Sequence, residues 1–182
     1  EGDEVPAGVA FAKAHSARPV LFEIRRVLDV KSLDEQRLAE LGRQARDRAE
    51  GYSLVQWVDR APDDIVDDLA VLKGRMSVDA PHEDMEWEAE NYDADRVRAL
   101  EATIAARRRR VVATAARHDL TGRLVGYTDI GVNIDRPRVA YQWDTIVSTA
   151  HRGHRLGLLM KLANIELLRR TIDGVEIVNT WN

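Results

Sequence analysis

The sequence predicts a mixed α/β fold of the α+β kind, a mostly antiparallel sheet flanked by helices. Three observations lead there. Residues 111–118, 121–134 and 138–148 are strand-like runs separated by short turns, the spacing of an antiparallel meander. Residues 154–172 then form a helix apolar on more than one side, which leads into a last run at 175–182. A helix of that length returns the chain in its original direction, so the final strand pair is parallel. The composition, 45% hydrophobic and 32% charged, is that of a globular chain, and 182 residues suffice for one domain or for one domain and a piece of another.

Each element has its own local signal. PAGVAFAKAHSA (6–17) reads as a short helix with Pro6 near its first turn, stopped by Pro19. VLFEIRRVLDV (20–30) reads as a strand with imperfect alternation. Residues 32–50 form a polar helix, with Ser32 as cap, Glu35 completing a capping box and Gly51 ending it. YSLVQWV (52–58) is a strand. Residues 62–76 form a helix that opens on Pro62 and carries acids in its first turn, where the helix dipole favours them. The acidic, aromatic-bearing stretch 77–91 reads as a long loop, with Asp79, Glu83, Asp84, Glu86 and Glu88 as a field for a cationic substrate or simply a solvated run. Residues 93–110 are a further helix, ending in four arginines.

Charge and composition exclude several classes. The net charge is −4, which disfavours a general nucleic-acid or anionic-membrane binder. The Arg107–Arg110 run is explained by the dipole at a helix C-terminus; as a nucleic-acid site it would show steep salt dependence. The absence of cysteine excludes a disulfide framework, a thiolate metal site and a catalytic cysteine. No apolar run is long enough to span a bilayer, and the acidic start lacks the basic head of a secretory signal. A cytoplasmic protein is expected, with no nucleic acid, membrane or metal partner.

The chemistry-bearing stretch is STAHRGHRLG (148–157), between an apolar strand and an apolar helix. The first turn of that helix has backbone N–H groups without an internal partner, and the dipole places partial positive charge there. Gly153 and Gly157 remove side chains that would hold a ligand off the backbone, while Arg152, His154 and Arg155 add positive field. Such a junction suits a phosphate or pyrophosphate. A basic strand–helix junction with two convenient glycines would show the same residues. The Walker A and dinucleotide-binding patterns are both absent.

WDTIVSTAHRGHRLGLLMKLANIELL resembles the acetyl-CoA-binding motif of the GNAT N-acetyltransferases, matching at Arg152, Gly153, His154, Leu156 and Gly157. Arg155 departs from it, standing where the family usually has glycine. The element order from 52 to 182 is similar to the family's, and QWDTIV, HRGHRLG and TWN resemble the second domain of a tandem GNAT protein. The resemblance implies three segments: 1–30 as the tail of a preceding GNAT-like domain, 31–51 as a connecting helix, and 52–182 as an acetyl-CoA-binding domain lacking the family's usual C-terminal elements. The exposed edge left by 175–182 would be covered by the strand at 20–30, within one chain or by strand exchange in a homodimer.

For mechanism, the resemblance implies acetyl-CoA as co-substrate and direct attack by the amine of a small-molecule or protein acceptor. The backbone of Ile146 and Val147 would pair with the pantetheine arm, and the amides from Arg152 through Gly153, His154, Arg155, Leu156 and Gly157 to Leu158 would hold the pyrophosphate. Asn182, in the closing TWN, counts with the cofactor residues. Asp144 and His151 are the candidate catalytic bases, ahead of Tyr141 and Tyr127. Asp144 also reads as the partner of an arginine across the sheet, and His151 as a loop cap. The family's usual acid is a tyrosine on its last helix; were 6–17 to replace that helix, Phe11 would stand there without a proton to give. The alternative is a degenerate GNAT module that binds CoA or serves as a scaffold without catalysis.

Overall fold

The computed structural model describes residues 6–19, 23–79 and 91–181. Along the chain run α1 (Ala7–Ala14), β1 (Arg25–Asp29), α2 (Glu35–Arg48), β2 (Tyr52–Val58), α3 (Val66–Asp79), α4 (Ala94–Ala106), β3 (Arg109–His118), β4 (Leu124–Asn133), β5 (Val139–Val147), α5 (Leu156–Thr171) and β6 (Ile177–Trp181). The strands form one sheet in the order β1-β6-β5-β4-β3-β2. Every neighbouring pair is antiparallel except β5 and β6, which are joined through α5 and run parallel as the crossover argument requires. β1 closes the open edge of β6 within the same chain, with Arg25 opposite Trp181 and Asp29 opposite Ile177.

Helices cover the two faces unequally. α3, the Ile65 that precedes it and α4 set Ile65, Leu69, Leu72 and Val97 against Trp57, Ala113, Ala115, Tyr127 and Ile146. On the other face Leu167 and Leu168 of α5 meet Val112, Ile130, Val132, Ala140 and Val178. Ala45 and Ala49 join the N-terminal half of α5 at Leu156, Leu159 and Met160, which is why the otherwise polar α2 has small apolar residues there. Inside this apolar layer, fully buried Asn164 accepts from the Thr114 hydroxyl at 3.0 Å and donates to the Val112 carbonyl at 3.2 Å. The pairing satisfies polar groups that would otherwise be costly to bury.

Several local expectations are corrected. Asp34, not Ser32, caps α2, accepting from the Arg37 amide at 3.0 Å. Ser32 instead belongs to a turn in which Asp29 Oδ1 takes the amides of Lys31 and Ser32. α3 begins at Val66 after a turn in which the Ile65 amide bonds the Pro62 carbonyl, and it continues through Asp79 into the stretch expected to be loop. The rest of that acidic stretch, residues 80–90, lies outside the described residues, as do residues 20–22 of the expected first strand and Asn182.

Of the arginine run only Arg107 stands at a helix end, as the C-cap of α4. α4 stops at Ala106; Arg108 turns the chain with φ +54°, and Arg109 and Arg110 already belong to β3. Arg108 makes a forked pair with Asp135 and Arg110 pairs with Asp59, so two of the four cations are committed to acids on neighbouring turns. α1 buries none of its residues, and Phe11 is exposed. α1 therefore does not take the place of a packed terminal helix.

Candidate functional site

The sheet opens at β5. β6 pairs with β5 only from Val139 to Tyr141. From Gln142 onward β5 keeps β4 on one side and, among the described residues, has no strand on the other, while β4 continues to Gly126 opposite Val147. The parting coincides with a bulge. Thr128 faces Thr145 and Ile130 faces Gln142, so the single residue Asp129 opposes two residues of β5, Trp143 and Asp144.

Polar groups hold this bulge in place. The Asp144 amide donates to Asp129 Oδ1 at 2.8 Å. The Gln142 side-chain amide donates to Thr128 Oγ1, the Asp129 carbonyl and the Asp144 carbonyl at 3.0, 2.7 and 3.0 Å. The Asp144 carboxylate accepts the Tyr127 hydroxyl at 2.5 Å. Lys73 of α3 reaches down into the same group, 3.5 Å from Asp144 Oδ2 and 3.6 Å from Asp129 Oδ2, and donates to the Tyr127 hydroxyl at 3.3 Å. The expected arginine partner of Asp144 is thus a lysine, from the helix above rather than from the sheet.

The electrostatics follow from burial. Asp129 is almost wholly enclosed, and its carboxyl is raised to about 6, because desolvation and the nearby Asp144 outweigh the attraction of Lys73. Burial opposes the Lys73 charge, but the two carboxylates outweigh it and hold the ammonium above its usual range. Burial, with Asp129 and Asp144 nearby, raises Tyr127, so its hydroxyl keeps its proton. Asp144 is the most exposed of the group, with 37% of its side chain reaching solvent against 12% for Lys73 and 8% for Asp129. The group therefore presents one accessible carboxylate, steered by a buried cation, a phenol and a second acid.

The cradle lies beyond the end of β5. A short turn, Thr149–His151, leads to Arg152, Gly153 and His154 before α5 begins. Gly153 has φ +88°, a conformation that favours glycine. Arg155 caps α5 in the left-handed region, φ +54°, and makes no capping hydrogen bond, so no side chain of its own fills the positive end of the helix. A Cβ at Gly157 would meet no atom within 4 Å: the space over the first turn is open. An open cleft of about 540 Å³ runs past Arg152, Gly153 and His154 toward Asp47, Arg48, Glu50 and Gly51. The Arg152 guanidinium donates to the Val147 carbonyl at 3.1 Å, tying the cradle to the free end of β5. These features fit a pyrophosphate; Asp47 and Glu50 on the far wall oppose an anion, and Arg48, Arg152 and His154 offset them.

The two candidate bases stand in different environments, and among the described residues no contact joins them. Asp144 belongs to the bulge. His151 lies beside the cradle, where its Nδ1 is 2.9 Å from the Tyr52 hydroxyl and its ring lies 5.1 Å from that of His118. Burial first, then His118 and His154, lower its pKa, which keeps the imidazole neutral. Ile146 buries its side chain under α3 while Val147 turns toward α5, so what both offer on the free side of β5 is backbone. Lys73 and Asp129 are the partners that sequence reading missed. Lys73 follows Ile65 and Leu69 at four-residue steps, a charge on an otherwise buried helix face, and that spacing was the available signal.

No family model matches the sequence, and no curated protein does. Solved structures do. The chain is 30% identical to a tandem GNAT protein from the clavulanic acid biosynthesis pathway, over all of this chain and 51% of that one, with a TM-score of 0.71. It is similar in fold to a GCN5-related N-acetyltransferase from Sphaerobacter thermophilus, at 14% identity over 96% of this chain and 46% of that one, with a TM-score of 0.57. It is also similar in fold to a glucosamine N-acetyltransferase region of a fungal multi-domain β-N-acetylglucosaminidase, at 12% identity over 97% of this chain and 20% of that one, with a TM-score of 0.57. The chain spans about half the length of the first two. No helix among the described residues is long and apolar enough to cross a membrane.

Proposed function

This chain has the GNAT fold, and we propose that it is an acetyl-CoA-dependent N-acetyltransferase domain acting on a primary amine. The observation that carries the proposal is the alignment of three features: the strandless side of β5 from Gln142 to Val147, the open first turn of α5 beyond it, and the accessible carboxylate of Asp144 before it. The amides of Leu156, Gly157 and Leu158, with Arg152 and His154, hold the pyrophosphate. The backbone of Ile146 and Val147 holds the extended arm, and Arg152 gives up its bond to the Val147 carbonyl as the arm arrives.

Asp144 is the base. It takes a proton from the acceptor ammonium, leaving a neutral amine. Acetyl-CoA supplies the acetyl group: the amine nitrogen bonds the thioester carbonyl carbon, the carbon–sulfur bond breaks, and the proton that the nitrogen sheds in becoming an amide passes to the departing thiolate. Lys73 and Tyr127 keep the Asp144 carboxylate aimed, and Asp129 fixes its backbone. His151, locked to Tyr52, serves the cradle wall rather than the proton transfer. Residues 1–30 are read as the tail of a preceding GNAT-like domain and 31–51 as the connection to the domain at 52–182; support comes from the addition of β1 to the sheet edge beyond β6.

A second reading, a module that binds CoA without catalysis, is favoured by the exposed and unpacked α1, which brings no proton donor to the leaving thiolate. Calorimetric titration with acetyl-CoA, repeated on Gly157→Glu, tests the cradle: binding by the parent and loss in the variant are expected, and no binding by the parent defeats the proposal. Thiol release with amine acceptors then separates enzyme from scaffold, and the absence of cysteine gives that assay a clean background.

A further inference from the structure

The bulge does more than part the strands. A regular strand would send Trp143 and Asp144 to opposite faces. Here both oppose Asp129, and both lie on the face of α3, Asp144 by its contacts with Tyr127 and Lys73 and Trp143 by its place over Gly131, two residues on from Asp129. Asp144 bonds Tyr127 and Lys73 on that face. The Trp143 indole lies over Gly131, where any Cβ would fall 2.0 Å from the ring. Gly131 pairs with Tyr141, and the Tyr141 ring stacks on Trp181 of β6 at 6.1 Å between centroids and 11° between planes.

The result is a shelf of three aromatic rings that begins beside a carboxylate. Among the described residues neither α3 nor α4 contributes to the core at β6 or β1, and Tyr141 and Trp181 are 41% and 44% exposed. The shelf is polarised along its length. Asp144 stands at the inner end, and with Asp129 it outnumbers Lys73, the one cation that pairs with them among the described residues. Arg25, opposite Trp181 and bonded to Asn179 at 3.2 Å, stands at the outer end. A monocation with an apolar body is therefore oriented with its charge inward.

We infer that the acceptor is a primary amine carried on a flat apolar body, its ammonium seated against Asp144 and the Trp143 indole and its body laid along Tyr141 and Trp181. The inference rests on the acetyl-transfer reading of the site and names its substrate class. Chemistry supports each contact: the carboxylate accepts from the ammonium, the indole face attracts it, and stacked rings favour an apolar plane over a hydroxylated body.

The test compares 2-phenylethylamine with ethanolamine and glucosamine, by quenching of intrinsic tryptophan fluorescence without acetyl-CoA and by thiol release with it. The arylalkylamine is expected to bind and react about tenfold better than either polar amine, the discrimination an apolar surface supplies. Tyr141→Ala and Trp181→Ala should each reduce that preference ratio severalfold, while Tyr141→Phe, which keeps the stack, should retain it. Equal binding of the three amines, or a preference unchanged in both alanine variants, overturns the inference. Shelf-dependent selective binding without thiol release upholds the shelf and overturns acetyl transfer. Thiol release from polar amines, with no preference for the aryl amine, does the reverse.

Discussion

Asp129 accepts the backbone amide of Asp144 from the strand across, at 2.8 Å, and so a buried acid sets the course of the strand that carries the accessible one. Its carboxyl is raised to about 6 by burial. The folded state therefore binds this proton more tightly than the unfolded chain. The group's contribution to stability is fully present below about pH 4, the unfolded value, and is lost as pH rises through about 6. Asp129→Asn keeps the oxygen that accepts the Asp144 amide but cannot titrate. Denaturant unfolding of parent and variant between pH 4 and 7 should show that the parent alone loses stability in this window on account of this group.

Lys73 neutralises the bulge from above. Lys73→Met leaves the enclosed Asp129 carboxylate beside the partly exposed Asp144 without its cation, which should cost about 3 kcal/mol at pH 7. Lys73 is also what holds the Asp129 carboxyl down to about 6, so in the variant Asp129 takes up its proton above that pH and the penalty should shrink as pH falls from 7 toward 6. A penalty independent of pH would show that Lys73 acts by packing alone. Urea unfolding at pH 5 and pH 7 measures the difference.

Gly126 lies under the free end of β5. A Cβ there would meet the Ile146 carbonyl at 2.6 Å and the Val147 Cα at 3.2 Å, both backbone atoms. Gly126→Ala must therefore displace the strand segment proposed to hold the arm of acetyl-CoA. A loss of about 1–3 kcal/mol in stability is expected, with a weaker calorimetric affinity for acetyl-CoA measured on protein that remains folded.

Arg155 holds a left-handed conformation at the start of α5. The resemblance places a glycine at this position, and the backbone here is the one glycine favours. Arg155→Gly removes a strain of about 1 kcal/mol and one exposed hydrogen bond to Gln44. The melting temperature should hold or rise. Affinity for acetyl-CoA should fall modestly and lose part of its salt dependence, because one cation leaves the cradle.

The order of elements was legible because periodicity and turn chemistry are local. β2 spans the expected residues 52–58, and the meander and crossover helix lie within a few residues of their expected ends. Caps were less legible, since Ser32 and Asp34 offer equivalent oxygens and the choice depends on Asp29, which takes the Ser32 amide. The cradle could be read from glycines and cations in ten residues. The bulge could not: it exists only as a register between β4 and β5, and no residue in either strand announces that Asp129 will face two partners. For the same reason Asp144 was found as a carboxylate but not as the neighbour of Lys73, and Trp143 passed as one more apolar strand residue.

The pairing of β1 with β6 joins opposite ends of the sequence. Nothing local can hold Arg25–Asp29 extended, and all five of its residues remain exposed in the finished sheet. Of the six strands of this sheet β1 comes earliest in the chain, yet it must wait longest for its place, until β6 has formed on the far side of the α5 crossover. Folding should therefore show a core of β2 to β5 that forms early, with β1 closing late and opening first. Amide exchange would report this as low protection at Val27 and Leu28 beside high protection at Ala113 and Ile130.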